Sequence, residues 1–457
     1  MKKSIFREYD IRGVVDQDLT IDSIRDIGQA IGSLAAERNE TQVIVGRDGR
    51  LSSPVLCQAL KTGIRAAGLD VLDLGAIPTP LLYYATHTLG SSHAGVMITG
   101  SHNPPQYNGL KIVIDKIALH GAVINDLRHR IESGNVRYGC GNEQTTDIHA
   151  DYIQKIANAL PLPRPLKIAV DCGNAIASHT APTLLRALGC EVIELFCEVN
   201  GHFPNHHPDP SIPDNLADLQ KAVIAHNADI GLAFDGDADR LGVVASNAEI
   251  IWPDRVLMPL AEEVLTEHHG AAIVYDIKCS RHLTQLIESL GGQSILWKTG
   301  HSLIKAKMRE TGALLGGEMT GHFAHADMWF GFDDAFYAAA RLLNVLAQHT
   351  ISSAEFFNTY PNSLSTPELR IDMAEGEPFI LMDQLAAQAD FGRDAKIITL
   401  DGLRVEFQHG WGLVRASNTT PSLVLRFEAD QQDAMTDIQE RFRQTLDTLR
   451  PDLDLPF

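Results

Sequence analysis

The 457-residue sequence has few cysteines, few aromatic residues and no long apolar run. Its six cysteines include no C-x-x-C pair, which argues against a zinc site and against a disulfide scaffold. No stretch reaches the roughly 18 consecutive apolar residues that a membrane-spanning helix needs. No apolar run follows Lys2 and Lys3, so the N-terminus does not have the pattern of a signal peptide. We therefore expect a cytoplasmic protein with reduced thiols and no membrane association.

Positive charge is also scarce, with 38 Lys and Arg against 58 Asp and Glu and a formal net charge of -20. A surface this acidic repels a polyphosphate backbone, so we expect no nucleic-acid partner. A small anionic ligand would need a local basic pocket. Hydrophobic residues make up 44% of the chain, which is enough for large cores, and the length corresponds to about three or four domains. No apolar stripe marks an interface, and we expect a monomer.

Strand-like and helix-like segments alternate over most of the chain. In three places an apolar strand runs into a polar loop that contains glycine, and these strands are predicted at residues 96–98, 230–234 and 313–315. We interpret them as three copies of one α/β unit. The last quarter instead predicts strands at residues 403–407, 413–416 and 423–427, followed by a helix at 433–449.

The predicted fold class is therefore α/β, with three similar mixed-sheet α/β domains and a C-terminal α+β domain around a central cleft. We place the domains at residues 1–148, 149–250, 251–364 and 365–457. Ligands of open α/β sheets bind beyond the carboxyl ends of the strands, so the three loops are expected to face that cleft.

The second loop, DGDADR at residues 235–240, carries Asp235, Asp237 and Asp239 at alternate positions after an apolar strand. Carboxylates this close raise one another's pKa or bind a cation, and hard oxygen ligands suit Mg²⁺. An EF-hand calcium loop does not fit, because Arg240 stands at the glycine position and Ser246 at the glutamate position. The alternative is a solvated acidic turn.

The first loop, TGSHNP at residues 99–104, places Ser101 between Gly100 and His102 in a sharp turn. A serine exposed on a rigid loop can act as a nucleophile or carry a phosphoryl group. The loop lacks the G-x-S-x-G elbow of α/β-hydrolases, and by itself a Gly-Ser loop indicates only a turn.

Four ordered motifs, TGSHNP, DGDADR, GEMTGH and RASNTTP, together with an N-terminal EYDIRG, resemble the α-D-phosphohexomutase superfamily. Within it, the sequence is most similar to the bacterial phosphomannomutase/phosphoglucomutase branch, and the resemblance spans essentially the whole chain. It implies that Ser101 is phosphorylated in the active enzyme. It also implies that Asp235, Asp237 and Asp239 hold Mg²⁺ together with an oxygen on Ser101.

The resemblance also assigns substrate-binding roles. Glu318 and Thr320 in GEMTGH would bind sugar hydroxyls, and the RASNTTP loop would hold the phosphate that does not react. Met319 stands where the phosphoglucosamine mutase branch usually carries Gln. The remaining residues that the resemblance places at the substrate are Tyr9, Arg240, Lys278, His301, Arg415, Ser417, Asn418 and Thr419.

The implied activity is that of an isomerase that interconverts hexose 1-phosphates and 6-phosphates of mannose, glucose or both. Phosphoserine would give its phosphoryl group to the substrate, and hexose 1,6-bisphosphate would stay bound, turn and return the other phosphate. Lys111 and His322 are the candidates for general base and acid, with Arg12 in support. A phosphoglucosamine mutase, a Mg²⁺-dependent sugar-phosphate hydrolase and a non-catalytic sugar-phosphate binding protein remain as alternatives.

Overall fold

The computed structural model describes residues 2–90, 92–417 and 420–457. Within these residues the chain forms four β-sheets of seven, five, four and six strands, one after another along the sequence. Short 3-10 helices lie at Lys3–Ile5, Ile176–His179 and Pro213–Leu216. Among the described residues, no helix is both long and apolar enough to cross a membrane.

The first sheet has the strand order β1-β5-β4-β2-β3-β7, with β6 paired to β5. Its helix α1 begins at a capping box, in which the Thr20 hydroxyl accepts from the Ser23 amide. The elements are β1 (Ile11–Val14), α1 (Ile21–Glu37), β2 (Gln42–Arg47), α2 (Ser53–Ala66), β3 (Asp70–Ala76), α3 (Thr79–Thr88), β4 (Gly95–Ile98), β5 (Tyr107–Ile114), β6 (Ile117–Ala118), α4 (Ala122–Ser133) and β7 (Glu143–Thr145).

The second sheet has the order β12-β11-β10-β8-β9, and the third has the order β14-β13-β15-β16. The second part of the chain contains α5 (His149–Ala159), β8 (Lys167–Asp171), α6 (Ala181–Ala187), β9 (Glu191–Leu195), α7 (Ala217–His226), β10 (Ile230–Phe234), β11 (Leu241–Ala245) and β12 (Ile250–Ile251). The third contains α8 (Pro253–Glu267), β13 (Ala272–Asp276), α9 (Arg281–Ser289), β14 (Gln293–Trp297), α10 (His301–Thr311), β15 (Leu315–Gly317), β16 (Phe323–His325), α11 (Ala335–Ala347) and α12 (Ser353–Asn358).

These three sheets share one four-strand pattern. A central strand (β2, β8 or β13) pairs in parallel with a neighbour on each side. The strand on one side (β4, β10 or β15) then pairs with an antiparallel partner (β5, β11 or β16). The prediction of three similar mixed-sheet α/β domains is confirmed, and in each copy the polar loop joins the antiparallel pair.

The strand before the third loop differs from the prediction, because β15 covers Leu315–Gly317 rather than residues 313–315. Gly316 and Gly317 look like loop residues in the sequence, but both are strand residues with helices packed closely on either face. A Cβ on Gly316 would lie 2.3 Å from Met308 Sδ, and one on Gly317 would lie 2.6 Å from a Leu257 methyl group. The glycines are therefore required by close packing.

The fourth sheet is antiparallel throughout, with the order β17-β22-β21-β20-β19 and β18 paired to β22. This confirms the α+β class of the last part of the chain. Its elements are β17 (Leu364–Ser365), β18 (Leu369–Asp372), α13 (Glu377–Gln388), β19 (Lys396–Ile398), β20 (Leu403–Phe407), β21 (Gly410–Ala416), β22 (Ser422–Ala429) and α14 (Gln432–Leu449).

One apolar core joins the first three sheets. Met97 on β4, Phe234 on β10 and Leu315 on β15 belong to the same buried cluster. A smaller cluster of Ile277, Trp411 and Leu413 connects the third sheet to the fourth. Because the three strands that precede the polar loops share a core, the relative positions of those loops are fixed by apolar packing.

Candidate active site

The three polar loops meet at one cleft. The serine loop (residues 99–104) joins β4 to β5, the aspartate loop (residues 235–240) joins β10 to β11, and the sugar loop (residues 317–322) joins β15 to β16. A cavity of about 650 Å³ lies between them and is lined by residues from all four parts of the chain. This volume is typical of a site for a small molecule.

Ser101 lies at the base of the cleft with only 3% of its surface exposed. Its Oγ donates a 3.0 Å hydrogen bond to Asp235 Oδ2 and lies 3.2 Å from His102 Nδ1. The residue has φ of 48°, in the left-handed region that is uncommon for residues other than glycine. Strain of this kind is usual at functional turns, and here it points the hydroxyl at the aspartate loop.

Arg50 holds the serine loop from behind, and the sequence reasoning missed it. The buried guanidinium donates to the carbonyl oxygens of Ser101 at 2.7 Å, Asn103 at 2.6 Å and Pro104 at 2.7 Å. Asp48 completes the arrangement by accepting from Arg50 Nε at 3.2 Å and from the Gly100 amide at 3.1 Å. The sequence offers no signal for this role, because Arg50 lies about fifty positions before the loop that it holds.

The serine and aspartate loops touch through Gly236. A Cβ at this position would lie 2.0 Å from the Ser101 carbonyl oxygen, a distance that atoms do not adopt. Only glycine therefore allows the two loops to approach closely enough for the hydrogen bond between Ser101 and Asp235.

The three aspartates of the second loop are fully buried. Burial, and then the neighbouring Asp237 and Asp239 carboxylates, raise the pKa of Asp235 well above its usual value. Burial would also raise the pKa of Asp237, but the Lys111 ammonium and hydrogen bonds lower it below its usual value. One of these bonds comes from Thr79 Oγ1, at 2.5 Å from Asp237 Oδ2.

The aspartate loop fits a hard divalent cation. Ligand atoms of Asp235, Asp237 and Asp239 all lie within 4.8 Å of one another. Asp237 Oδ1 and Asp239 Oδ1 are buried and make no hydrogen bond with any described residue. Buried carboxylate oxygens without partners are costly, and oxygen ligands are those that Mg²⁺ prefers.

Lys111, on β5, reaches the same carboxylates from the other side. Its Nζ donates to Asp237 Oδ2 at 2.7 Å and to Asp239 Oδ2. Burial alone would lower the pKa of Lys111, but the two carboxylates raise it well above its usual value. The residue is therefore an ammonium, so in this arrangement it can give a proton and cannot accept one.

His322 lies at the opposite wall with its two ring nitrogens in different environments. Arg240 Nε donates to His322 Nε2 at 3.0 Å, so Nε2 is an acceptor. Nδ1 lies 3.1 Å from Asp333 Oδ2. With Nε2 as the acceptor, the ring proton lies on Nδ1, which faces the Asp333 carboxylate.

Asp333 connects two histidines, and the sequence reasoning did not find it. Its Oδ2 lies 3.0 Å from His301 Nδ1, and the His301 and His322 rings stack with centroids 5.0 Å apart. Lys305 Nζ donates to Asp333 Oδ1 at 2.5 Å. Burial lowers the pKa of His301 to about 4, although Asp333 opposes this shift, so His301 is neutral at pH 7.

Three further predicted residues surround the cleft. Tyr9 Oη donates to the Thr299 carbonyl oxygen at 2.9 Å, and Arg12 pairs with Asp10 at 2.5 Å. Lys278 Nζ donates to Glu368 Oε2 at 2.7 Å. Burial alone would lower the pKa of Lys278, but the Glu368 and Asp276 carboxylates raise it, so the residue supplies positive charge.

The sugar loop brings Glu318 and Thr320 to the cleft. Glu318 Oε1 accepts from the Gly300 amide at 2.6 Å, which orients the carboxylate. Burial raises the pKa of Glu318 above its usual value. A carboxylate and a hydroxyl two residues apart can bind neighbouring hydroxyls of a sugar.

Arg415 and Ser417 enter the cleft from the fourth sheet. Arg415 Nε donates to Asp401 Oδ2 at 3.1 Å, and the same oxygen accepts from the Thr299 amide at 2.9 Å. Ser417 Oγ accepts from the Thr420 amide at 3.2 Å. The remaining two predicted phosphate-loop residues, Asn418 and Thr419, lie outside the described residues.

The structure therefore places all predicted catalytic and substrate-binding residues that it describes around one cavity, with Asp235 of the aspartate loop hydrogen-bonded to Ser101. The cleft also contains cationic side chains that the sequence motifs do not mark: Arg7, Arg370 and Arg426. They add to the local positive charge that an acidic protein needs to bind an anion.

Comparisons with known proteins match nearly the whole chain to one family. Four phosphoglucomutase/phosphomannomutase domain families match in order along the chain. The three alpha/beta/alpha domains match residues 3–136, 150–248 and 252–363, and the C-terminal domain matches residues 368–445. The chain belongs to the phosphoglucomutase/phosphomannomutase family.

Individual relatives cover the whole chain. The phosphomannomutase/phosphoglucomutase of Pseudomonas aeruginosa is 51% identical over 454 residues, which is 99% of this chain and 98% of the relative. The phosphoglucomutase of Neisseria meningitidis is 48% identical over 458 residues, 99% of each chain. A crystal structure of a phosphoglucomutase/phosphomannomutase family protein from Burkholderia thailandensis superimposes with a TM-score of 0.95, at 47% identity and full coverage of both chains.

Proposed function

We propose that this protein is a phosphohexomutase that interconverts the 1-phosphates and 6-phosphates of mannose and glucose. The observation that carries the proposal is the placement of Ser101 against Asp235, at the base of a cleft that also contains the sugar loop and the phosphate loop. The relatives at about 50% identity are named phosphomannomutase/phosphoglucomutase or phosphoglucomutase, which supports the reaction class.

Mg²⁺ would be held by Asp235, Asp237 and Asp239 together with an oxygen on Ser101. When bound, it neutralises negative charge on the phosphoryl group. The protein's own residues fix the position of the serine. Arg50 binds the loop carbonyls, and the left-handed backbone of Ser101 directs Oγ toward the aspartates and the cleft. Positioning of this kind contributes much of the catalysis in phosphoryl transfer.

In the first half-reaction, the phosphoryl group of phospho-Ser101 passes to the free hydroxyl of a bound hexose monophosphate. The bond from phosphorus to Oγ breaks, and the bond from phosphorus to the sugar oxygen forms. The sugar hydroxyl takes the place of Arg240 as the hydrogen-bond donor to His322 Nε2. His322 Nε2 then accepts the proton of that hydroxyl. Lys111, which is held as an ammonium by Asp237 and Asp239, gives a proton to Ser101 Oγ.

The second half-reaction returns these protons after the hexose 1,6-bisphosphate has turned end for end. Ser101 takes the other phosphoryl group, its proton goes to Lys111, and His322 protonates the departing sugar oxygen. Arg415 and Ser417 would hold whichever phosphate does not react, while Glu318 and Thr320 would bind the ring hydroxyls in both orientations. A site that binds those hydroxyls and a phosphate has little means to distinguish glucose from mannose, which differ only at C2.

The test is a direct assay with Mg²⁺ and a trace of glucose 1,6-bisphosphate. Mannose 1-phosphate, glucose 1-phosphate and glucosamine 1-phosphate are compared for conversion to the 6-phosphate and for release of inorganic phosphate. We expect isomer formation from the first two and almost no inorganic phosphate. Preference for the amino sugar would identify a phosphoglucosamine mutase, and stoichiometric phosphate release would identify a hydrolase.

A further inference from the structure

A second cavity, of about 520 Å³, lies behind the active-site cleft. On one side it is bordered by α3 and the turn between β5 and β6. On the other side are α10 and the segment that follows β16. No residue that lines this back cavity also lines the cleft. Its volume is within the range of small-molecule sites.

Aromatic rings form one wall of the back cavity. His87 lies 5.1 Å from the Phe330 ring centroid and 5.5 Å from that of Phe332, which in turn lies 5.5 Å from Tyr83. Burial lowers the pKa of His87 to about 4, so at neutral pH its ring is an uncharged member of this wall. Such a wall favours a flat ring that can stack or pack edge to face.

Positive charge is concentrated at the same cavity. Lys116, Lys305 and Arg309 line it, against the single carboxylate of Asp115. Lys116 and Arg309 are exposed at the cavity, and neither forms an ion pair with another described residue. In a chain with a net charge of -20, a local excess of positively charged side chains favours an anionic ligand.

The backbone also holds Lys116 at the rim. Asp115 and Lys116 have φ of 56° and 60°, the left-handed turn conformation that Asn-Gly usually adopts. These two residues form the turn of the β5–β6 hairpin, which requires positive φ at both positions and fixes where the Lys116 side chain begins.

We propose that the back cavity is a second ligand site, for a planar aromatic molecule that carries one anionic group. The ring would pack against His87, Phe330 and Phe332, and the anion would pair with Arg309 and Lys116, with the guanidinium able to form two parallel hydrogen bonds. Both a nucleoside monophosphate and an aromatic carboxylate have this chemistry.

The same cavity is connected to the active site through one ammonium. Lys305 Nζ lies 4.6 Å from the centroid of the Tyr83 ring in the cavity wall and donates to Asp333 Oδ1 at 2.5 Å. Asp333 Oδ2 contacts His301 and His322. An anion that draws Lys305 away from Asp333 would loosen both imidazole rings, so we infer that the ligand lowers turnover. This second part rests on the proposed function.

Binding is tested with 8-anilinonaphthalene-1-sulfonate, a fused aromatic sulfonate whose fluorescence rises on binding. The full chain is titrated in the presence of saturating glucose 1,6-bisphosphate, which occupies the cleft. We expect one saturable site. The double variant Lys116→Ala with Arg309→Ala should raise its Kd at least tenfold, and Ala118→Trp should remove binding by filling the cavity.

The matched control is Arg186→Ala with Lys221→Ala, which removes the same two positive charges from an exposed surface. Control binding should equal that of the wild type. Equal binding by the wild type and both cavity variants would overturn the site. Lys116 and Arg309 form no ion pairs within the described part of the chain, so we expect their replacement by alanine to leave the fold intact. The double alanine variant therefore still tests the site if Ala118→Trp does not fold.

Displacement distinguishes the two sources of the ligand. Guanosine monophosphate and 1-naphthoate are added separately to the wild type with bound fluorophore. Displacement by either one supports the site and identifies its source, and displacement by neither at millimolar concentration overturns the proposed ligand class.

The coupling is tested with the compound that displaces the fluorophore. Wild-type kcat should fall when the cavity is saturated, with KM little changed, and the double alanine variant should not respond. Intact binding with unchanged kcat would overturn the coupling through Lys305. If no hexose phosphate is turned over at all, the proposed function fails, while the fluorescence titration still decides whether the site exists.

Discussion

The Ser101 hydroxyl donates a 3.0 Å hydrogen bond to Asp235 across a separation of 134 positions in the chain. The bond joins the loops of two separate sheets, and the shared apolar core beneath them fixes their distance. The Ser101 hydroxyl, the three carboxylates of the aspartate loop and the Lys111 ammonium thus meet at one place. No single segment of the sequence contains all of these groups.

Removal of the Ser101 hydroxyl should abolish phosphoryl transfer. Ser101→Ala is expected to reduce turnover by a factor of at least about 10⁴, because the group that carries the phosphoryl is gone. Intact-mass measurement after incubation with glucose 1,6-bisphosphate should find no phosphoenzyme. Ser133→Ala, at an exposed helix end, is the control and should behave as the wild type; normal turnover by Ser101→Ala would refute the carrier role.

Asp237→Asn should weaken metal binding. One of three buried carboxylates becomes neutral, so the Mg²⁺ concentration for half-maximal activity should rise at least tenfold, and maximal turnover should fall by orders of magnitude. The rise in Tm that Mg²⁺ produces in the wild type should also shrink, since a ligand stabilises a protein according to its affinity. An unchanged Mg²⁺ dependence in both measurements would contradict the assignment of Asp237 as a ligand.

Arg50→Lys tests the support of the serine loop. A lysine keeps the charge but cannot reach the four carbonyl oxygens that the guanidinium binds together. We expect kcat to fall by about a hundredfold, because small displacements of a reacting group are costly, while KM changes little. Arg128→Lys on the surface helix α4 provides the control. A variant with full kcat would mean that the loop holds its shape without Arg50.

Acid should destabilise the protein in part through His87. Its pKa is lowered to about 4 in the folded state, so the unfolded chain binds this proton more readily. The stabilising contribution is fully present above the ordinary histidine pKa and is lost as pH falls from about 6.5 toward 4. Between pH 7.5 and 5, Tm should therefore fall further in the wild type than in His87→Phe. The exposed His129→Phe should retain the wild-type slope, and equal slopes in all three proteins would exclude this contribution.

The sequence predicts those parts of the fold and site that are formed by residues next to one another in the chain. The aspartate loop, the serine loop and the sugar loop each follow an apolar strand, so their type and their place at a strand end can be inferred locally. Arg50 and Asp333 could not be predicted in this way. Arg50 acts on the serine loop about fifty positions further along the chain, and Asp333 acts on the rings of His301 and His322, which lie in two separate segments.

The two glycines of β15 illustrate a different limit. In the sequence, Gly316 and Gly317 indicate a loop, because nothing local reveals the Met308 and Leu257 side chains that will press on them. The protonation of Lys111 is likewise a property of the assembled site, since its pKa is raised only because carboxylates of another sheet surround it.

The contact between the serine loop and the aspartate loop depends on Gly236, a residue that has no side chain and takes no part in the reaction. A methyl group at this position would push the Ser101 carbonyl away, although every catalytic side chain would still be present. An alanine at Gly236 would remove no functional group. It would nevertheless separate the Ser101 hydroxyl from Asp235, and we expect it to abolish activity as completely as the loss of a reactive side chain.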